Sequence, residues 1–322
     1  MTFEPTTHAA FQATLPINGS TTESGFAGIF KRHIHGTRAN LSSKIASFPY
    51  YEVPGSAATR QMPPVIYLHG LFGIKENWIP VMNHVGHDLR QLSPHLPITE
   101  LPWSNDCLGD LVDFVVDFMN HLQIPRAILV GNSLGGHVAL RMALEHRDRV
   151  VALGLCSSSG LYEKEMAKYR PTVSEEFVRS RIEQVFHNPA HVTNDLVAMA
   201  YDALLPRDAR RRIVSMAKAA KRDNLANRLR HVHVPAVLIW GVHDTITPPS
   251  VGMEFQQLLP EAELHWVPDA AHCAQIEQPA IFASHLRSFL DALPARWHHA
   301  PEAHHPARHL GLAPALNAAG AV

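Results

Sequence analysis

The sequence predicts an α/β fold: a mostly parallel sheet flanked by helices, with a helical cap inserted after the sixth strand. Three observations carry this expectation. Short apolar runs alternate along the chain with segments of helical period, the pattern of strands buried on both faces and joined by crossover helices. One run, Ala127 to Val130, breaks into Gly131-Asn132-Ser133-Leu134-Gly135-Gly136 and continues in helical period to His146, a strand-turn-helix that exposes a serine at its bend. About 80 residues of purely helical periodicity then separate two clear strands, far more than a connection in such a sheet needs.

Residues 1–45 are rich in Thr, Ser, Ala and Gly with weak periodicity and read as an N-terminal extension, in part disordered. Past Phe48, Tyr50 to Val53 reads as a short strand, Pro54-Gly55 as a turn, and Val65 to Leu68 as a buried strand ending at His69-Gly70. Leu108 to Leu122 is helical by spacing: Leu111, Val112, Val115, Phe118, Met119 and Leu122 share one face, and Asp110, Asp113 and Asp117 lie opposite. Val150 to Leu155 and Ala236 to Trp240 are strands, and the stretch between them, broken at Pro171, Pro189 and Pro206, is a helical insertion. A helix near Val251 to Leu259, a strand at Glu263 to Val267 and a closing helix from Pro279 to Leu293 complete the pattern. The expected organisation is therefore a core of 46–156 and 231–293, a cap of 157–230, and a disordered Ala/Pro/His-rich tail of 294–322. Five histidines between His298 and His309 sit in that tail without spacing that fixes a geometry, so no metal site is expected.

At 322 residues and 46% hydrophobic content, the chain can bury one large core. A net charge of −1 gives no bulk attraction to nucleic acid or to an anionic membrane. Cys107, Cys156 and Cys273 are scattered and odd in number, which argues against a disulfide framework or a zinc site. The first residues lack the basic start and apolar core of a secretory signal, and no run approaches membrane-spanning length. The expectation is a cytoplasmic protein acting on a small-molecule substrate, without cofactor, nucleic acid or membrane, its oligomeric state left open.

A serine hydroxyl becomes a useful nucleophile only when an imidazole takes its proton and a carboxylate orients that imidazole. In a sheet of this kind the loops at the carboxyl ends of the strands converge, so the partners of Ser133 should follow later strands. Asp244 lies four residues after Trp240 and His272 follows the strand ending at Val267; the order Ser133, Asp244, His272 suits the topology. Asp106 and Asp269 are rival acids, the first more simply a helix cap, the second too near His272 in sequence. Cys273 offers a thiol alternative without a second base. The backbone N–H of Leu134, at the start of the serine helix, is the expected oxyanion donor.

Four motifs in order, His69-Gly70-Leu71-Phe72-Gly73, Gly131 to Gly136, Trp240 to Asp244 with Thr247-Pro248, and Ala271-His272 followed by Glu277-Gln278-Pro279, resemble those of the α/β-hydrolase superfamily. The similarity is to its capped serine hydrolases, the esterase and meta-cleavage-product hydrolase-like group. The resemblance implies that Leu71 supplies a second oxyanion N–H, that His69 is structural, and that Phe72 and Trp103 stand near the pocket mouth. It also separates this chain from relatives with an aspartate nucleophile. The loop Glu100 to Asp106 departs from the Gly-x-Gly turn of many members, and substrate shape is where transfer is least direct. The basic residues Arg207, Arg210, Arg211, Arg212, Lys218, Lys221, Arg222, Arg228 and Arg230 form either a solvated helix face or the source of one carboxylate-reading arginine. The implied function is hydrolysis of a small carboxylic ester through an acyl-enzyme. The alternatives are carbon–carbon hydrolysis of a vinylogous diketone acid and ligand binding by a slow receptor on the same scaffold.

Overall fold

The structure, a computed structural model, describes residues 48–57, 62–101, 104–161 and 173–297. The expected N-terminal extension, Trp103 and the histidine-rich tail beyond Trp297 lie outside the described residues. Among the described residues seven strands form one sheet: β1 (Tyr50–Val53), β2 (Val65–Leu68), β3 (Gln91–Pro94), β4 (Ala127–Asn132), β5 (Val150–Cys156), β6 (Ala236–Gly241) and β7 (Ala262–Val267). Their order across the sheet is β1-β3-β2-β4-β5-β6-β7, with β1 antiparallel to β3 and every other pair parallel. The helices are α1 (Ile79–Val85), α2 (Cys107–His121), α3 (Leu134–Glu145), α4 (Glu175–Ile182), α5 (Asn194–Leu204), α6 (Arg207–Arg222), α7 (Ala226–Leu229), α8 (Pro249–Leu258), α9 (Ala274–Glu277) and α10 (Pro279–Trp297).

The period of two along each strand feeds two cores. Ile66, Leu68, Leu129, Leu153, Leu155, Leu238 and Trp240 point to the face covered by α2, α3 and α8. Their neighbours Val65, Tyr67, Ile128, Val130, Ala152, Val237 and Ile239 point to the face covered by α1 and α10. This is why the strands read as unbroken apolar runs. β3 is the exception, polar yet fully buried. The Gln91 amide donates to the carbonyls of Met82 (3.2 Å) and Gly86 (2.6 Å) and accepts from the Tyr67 hydroxyl (2.8 Å), while Ser93 donates to the Lys75 carbonyl (2.9 Å). Each polar group therefore has a partner inside the core.

Counted from Tyr50, the helical insertion follows the fifth strand and carries α4 to α7 among its described residues. Ser174 and Thr193 cap α4 and α5. Helix α6 buries Ile213, Met216, Ala219 and Ala220 and turns Arg207, Arg211, Lys218, Lys221 and Arg222 to solvent. The insertion is tied to the core where Asp223 meets the buried His137 Nε2 at 3.1 Å, and its two ends are joined where Leu225 N–H donates to the Gly160 carbonyl (2.7 Å). In α2, Asp110 is not on the solvent face that helical spacing implies: it is buried and accepts from the Ser104 hydroxyl, because the loop before α2 folds back over it. Asp106 caps α2 through Gly109 N–H (2.9 Å).

Helix α3 packs onto the sheet at a distance that only glycine allows. A Cβ on Gly135 would lie 2.1 Å from the Leu68 carbonyl oxygen, and one on Gly131 would lie 2.3 Å from the Gly135 carbonyl carbon. Both clashes are with backbone, so relief requires the helix to move. Gly135→Ala is expected to destabilise the fold by about 2–3 kcal/mol, read as a lower urea midpoint; an unchanged midpoint would contradict this packing.

Candidate active site

Strand order reverses direction between β3 and β4 on either side of β2, and at such a switch point the carboxyl ends of neighbouring strands open a crevice. The turn after β2 and the bend after β4 meet there: a Cβ on Gly70 would lie 3.3 Å from the Ser133 Cβ. Ser133 occupies the bend with φ 53° and ψ −117°, a conformation that costs a non-glycine residue of order 1–3 kcal/mol. Ser159 N–H and His137 N–H donate to the Ser133 carbonyl (both 3.1 Å) and Ser133 N–H donates to the Cys156 carbonyl (3.0 Å), so surrounding structure holds the strained residue in place. Its side chain sits at the N-terminus of α3, half-buried, where the helix dipole favours negative charge. Among the described residues neither Leu134 N–H nor Leu71 N–H donates to a protein acceptor.

Asp244 and His272 come together across 28 residues of chain. Gly241, at the end of β6, makes this possible, since a Cβ there would lie 2.1 Å from the Ala271 carbonyl oxygen. The Asp244 side chain is fully buried. Its Oδ1 accepts from the N–H groups of Ile246 (2.8 Å) and Thr247 (3.0 Å), and its Oδ2 accepts from the Thr247 hydroxyl (2.8 Å) and from His272 Nδ1 (3.0 Å). Burial pushes this carboxyl up, but attraction and hydrogen bonding from His272, with the Thr247 hydroxyl, outweigh it and hold Asp244 below its ordinary value. With Nδ1 directed at the carboxylate, Nε2 of His272 is the nitrogen left for a reacting proton. The loop carrying His272 is joined to the serine bend by Asn132, whose amide donates to the His272 carbonyl (3.0 Å). Among the described residues no hydrogen bond joins the Ser133 hydroxyl to the imidazole, a contact that in free enzymes commonly forms only with substrate.

The other candidates separate cleanly. His69 Nε2 accepts from Leu96 N–H (2.9 Å), which leaves Nδ1 to donate to the Gly70 carbonyl (2.8 Å). Burial, with His95 nearby, brings its pKa down to about 3, so it is a neutral structural group without a free nitrogen. Asp106 is engaged with Gly109 and Arg141, and Asp269 is exposed on a left-handed turn, φ 51°. Burial pushes the Cys273 thiol well up and the Cys156 thiol to about 12, the reverse of what a thiolate nucleophile needs. Phe72, beside the Leu71 turn, is 52% exposed. Trp103 lies outside the described residues. Of the basic residues in the insertion, Arg210 donates to the Leu204 and Leu205 carbonyls and Arg228 pairs with Glu145 (3.1 Å). Arg212 borders a cavity of about 20 Å³ lined by none of Ser133, Asp244 or His272, with room for one water.

Sequence reasoning missed the roles of three residues: Asn132, which joins two loops; Thr247, which completes the carboxylate; and Glu277. Glu277 accepts from Ala271 N–H (2.7 Å) and from the N–H groups of His187 and Asn188 (both 2.8 Å), anchoring the insertion to the His272 loop. The signal for all three was their place inside the quoted motifs, which spacing alone does not convert into contacts.

The sequence model of the alpha/beta hydrolase fold matches residues 63–279, from β2 to the start of α10, and so takes in the loops that carry Ser133, Asp244 and His272. The chain belongs to the α/β-hydrolase family. It is 28% identical over 272 residues to a 2-hydroxymuconate semialdehyde hydrolase of Pseudomonas sp. (strain CF600), covering 79% of this chain and 91% of that protein. It is also 28% identical over 254 residues to the dihydrolipoyllysine-residue acetyltransferase component of an acetoin cleaving system of Pseudomonas putida, covering 75% of this chain but spanning only 66% of that protein's length. Among solved structures it resembles MGS-MChE2, an alpha/beta hydrolase enzyme from the metagenome of lagoon sediments, with a TM-score of 0.61 and 28% identity over 76% of this chain and 94% of that one. This α/β-hydrolase contains no helix, among its described residues, long and apolar enough to cross a membrane.

Proposed function

We propose that this α/β-hydrolase is a serine hydrolase that cleaves small carboxylic esters through an acyl-enzyme, with Ser133, His272 and Asp244 as its catalytic residues. The observation that carries the reading is the buried Asp244 carboxylate on His272 Nδ1, in a loop that Asn132 ties to the strained bend of Ser133. His272 Nε2 takes the Ser133 proton as Oγ attacks the ester carbonyl, and the N–H groups of Leu71 and Leu134 stabilise the oxyanion. Collapse of the tetrahedral intermediate expels the alcohol, which receives the proton from His272. Water, deprotonated by the same nitrogen, then releases the acid and restores Ser133. The helical insertion roofs the pocket and excludes bulk water, and Phe72 stands at its mouth.

An ester requires only these groups. An acidic substrate would also need a fixed positive charge; among the described residues of the insertion, Arg210 is engaged with backbone carbonyls and Arg228 with Glu145. A panel of p-nitrophenyl esters tests the reading. We expect kcat/KM for acetate or butyrate to exceed that for long-chain esters by about tenfold or more, a modest discrimination of the kind a small apolar pocket supplies. Faster turnover of the long chains would refute the small pocket. The second reading, carbon–carbon hydrolysis of a vinylogous diketone acid, is favoured by the likeness to 2-hydroxymuconate semialdehyde hydrolase. In that reaction His272 would first aid ketonisation. Bleaching of a coloured dienoate by this enzyme but not by its Ser133→Ala variant would decide for it.

A further inference from the structure

Beside the proposed catalytic loops, on the outer surface, three side chains from distant parts of the chain converge. His187 belongs to the helical insertion, His243 to the loop after β6, and Asp269 to the turn after β7. One ligand atom from each lies within 4.8 Å of the other two. The two imidazoles are stacked, ring centroids 3.9 Å apart and planes 10° from parallel. We propose that His187, His243 and Asp269 bind a divalent transition-metal ion of the zinc type, which clamps the helical insertion to the loops carrying Asp244 and His272.

The backbone beneath these residues is prearranged for such a site. Glu277 holds His187 N–H and Asn188 N–H with one carboxylate oxygen and Ala271 N–H with the other. Cys273 N–H donates to the Val185 carbonyl (3.2 Å) and the Thr245 hydroxyl to the Gln184 carbonyl (3.4 Å). His243 N–H donates to the Ala270 carbonyl (3.0 Å), which fixes it beside the Asp269 turn. The three Cα positions are thus set by a hydrogen-bonded frame, while the side chains are exposed and free to turn inward. A tetrahedral zinc ion with ligands at about 2.0–2.2 Å brings its donor atoms to about 3.4 Å from one another, a contraction that χ rotations of exposed side chains can supply. Two imidazoles and one carboxylate suit zinc, cobalt or nickel and not the all-oxygen preference of calcium or magnesium. Three protein ligands leave a fourth position to water. No linear spacing announces this site, since its ligands come from three separate connections, and it is distinct from the His-rich tail.

The ligands are not part of the proposed catalytic machinery, so the site acts on the fold. Joining insertion and core through a metal favours the docked insertion and protects the 184–188 segment from opening. The test uses the full chain in a background where His298, His299, His304, His305 and His309 are replaced by glutamine, which removes the tail's own binding. After EDTA treatment and dialysis, this chain is titrated calorimetrically with ZnCl2 and spectroscopically with Co²⁺. Expected are one equivalent of bound metal abolished or weakened about tenfold or more by each of His187→Ala, His243→Ala and Asp269→Asn, and a rise in Tm of about 5 °C at a hundredfold excess over Kd that these variants lack. His187→Gln and His243→Gln, which keep side-chain bulk, are carried alongside, with metal-free circular dichroism as the check on folding. Loss of all binding once the tail histidines are replaced, or binding that both glutamine variants leave intact, would overturn the site.

Discussion

Ser133→Ala is expected to lower kcat for a short-chain p-nitrophenyl ester by about 10⁶-fold, the scale seen when a serine hydrolase loses its nucleophile, while leaving the fold and KM near those of the parent. The physical reason is that in the proposed reaction every other group serves the attack by the Ser133 oxygen. The His272 imidazole takes the Ser133 proton, and the helix N-terminus with the Leu71 and Leu134 N–H groups stabilises the oxyanion that forms on the substrate carbonyl as Ser133 Oγ attacks, so without that oxygen no acyl-enzyme forms. Ser133 is held in a strained conformation by three backbone hydrogen bonds that do not involve its hydroxyl, so the truncation leaves the bend in place. A fluorophosphonate probe should label the parent protein at Ser133 and not the variant. Retention of ester turnover by the variant, or failure of the folded parent to be labelled, would remove Ser133 from the reaction and favour a binding role for the scaffold.

Asp244→Asn is the second large effect, about 10⁴-fold in kcat, and it follows from the hydrogen-bond polarity around the carboxylate. Oδ1 faces two backbone donors, Ile246 N–H and Thr247 N–H, so an asparagine must place its oxygen there and its NH2 where Oδ2 now accepts from His272. An amide donor opposite Nδ1 forces the ring proton to Nε2, the nitrogen that accepts the serine proton in the proposed reaction. The enzyme would be folded but would carry the wrong tautomer. The same substitution has a signature in stability. Asp244 is held below its ordinary value in the folded state. Its ionised form therefore contributes stability above the unfolded value, about 3.9, and that contribution is lost as pH falls through the folded value. The acid limb of a Tm-against-pH curve should be flatter in Asp244→Asn than in the parent. An equally steep limb, or a kcat loss below about tenfold, would mean that another acid orients His272.

Much of the fold was legible because burial on both faces writes itself into the chain as apolar runs. Ile66 and Tyr67, or Leu129 and Val130, face opposite cores, so neither position tolerates charge and the strands stand out. Strand β3 was not legible for the opposite reason. Gln91 and Ser93 are polar, and only their partners on Tyr67, Met82, Gly86 and Lys75 make them compatible with a core. Asp110 misleads in the same way, lying on the polar stripe of α2 yet buried beneath the Ser104 loop. At the candidate site, Ser133, Asp244 and His272 could be singled out because each follows a readable strand. Thr247, Asn132 and Glu277 could not, since a side chain that positions another has no pattern of its own.

The sequence by itself determined the alternation of strand and helix, the serine bend and the order in which serine, aspartate and histidine candidates follow their strands, because local backbone preference and burial period act over a few residues. Only the tertiary structure decided that Asp244 meets His272 through a backbone approach that Gly241 permits, and that His69 has both nitrogens engaged. It alone placed His187, His243 and Asp269 side by side. Contacts between distant loops depend on how strands are ordered across the sheet and how closely helices approach it, and no stretch of neighbouring residues carries that information.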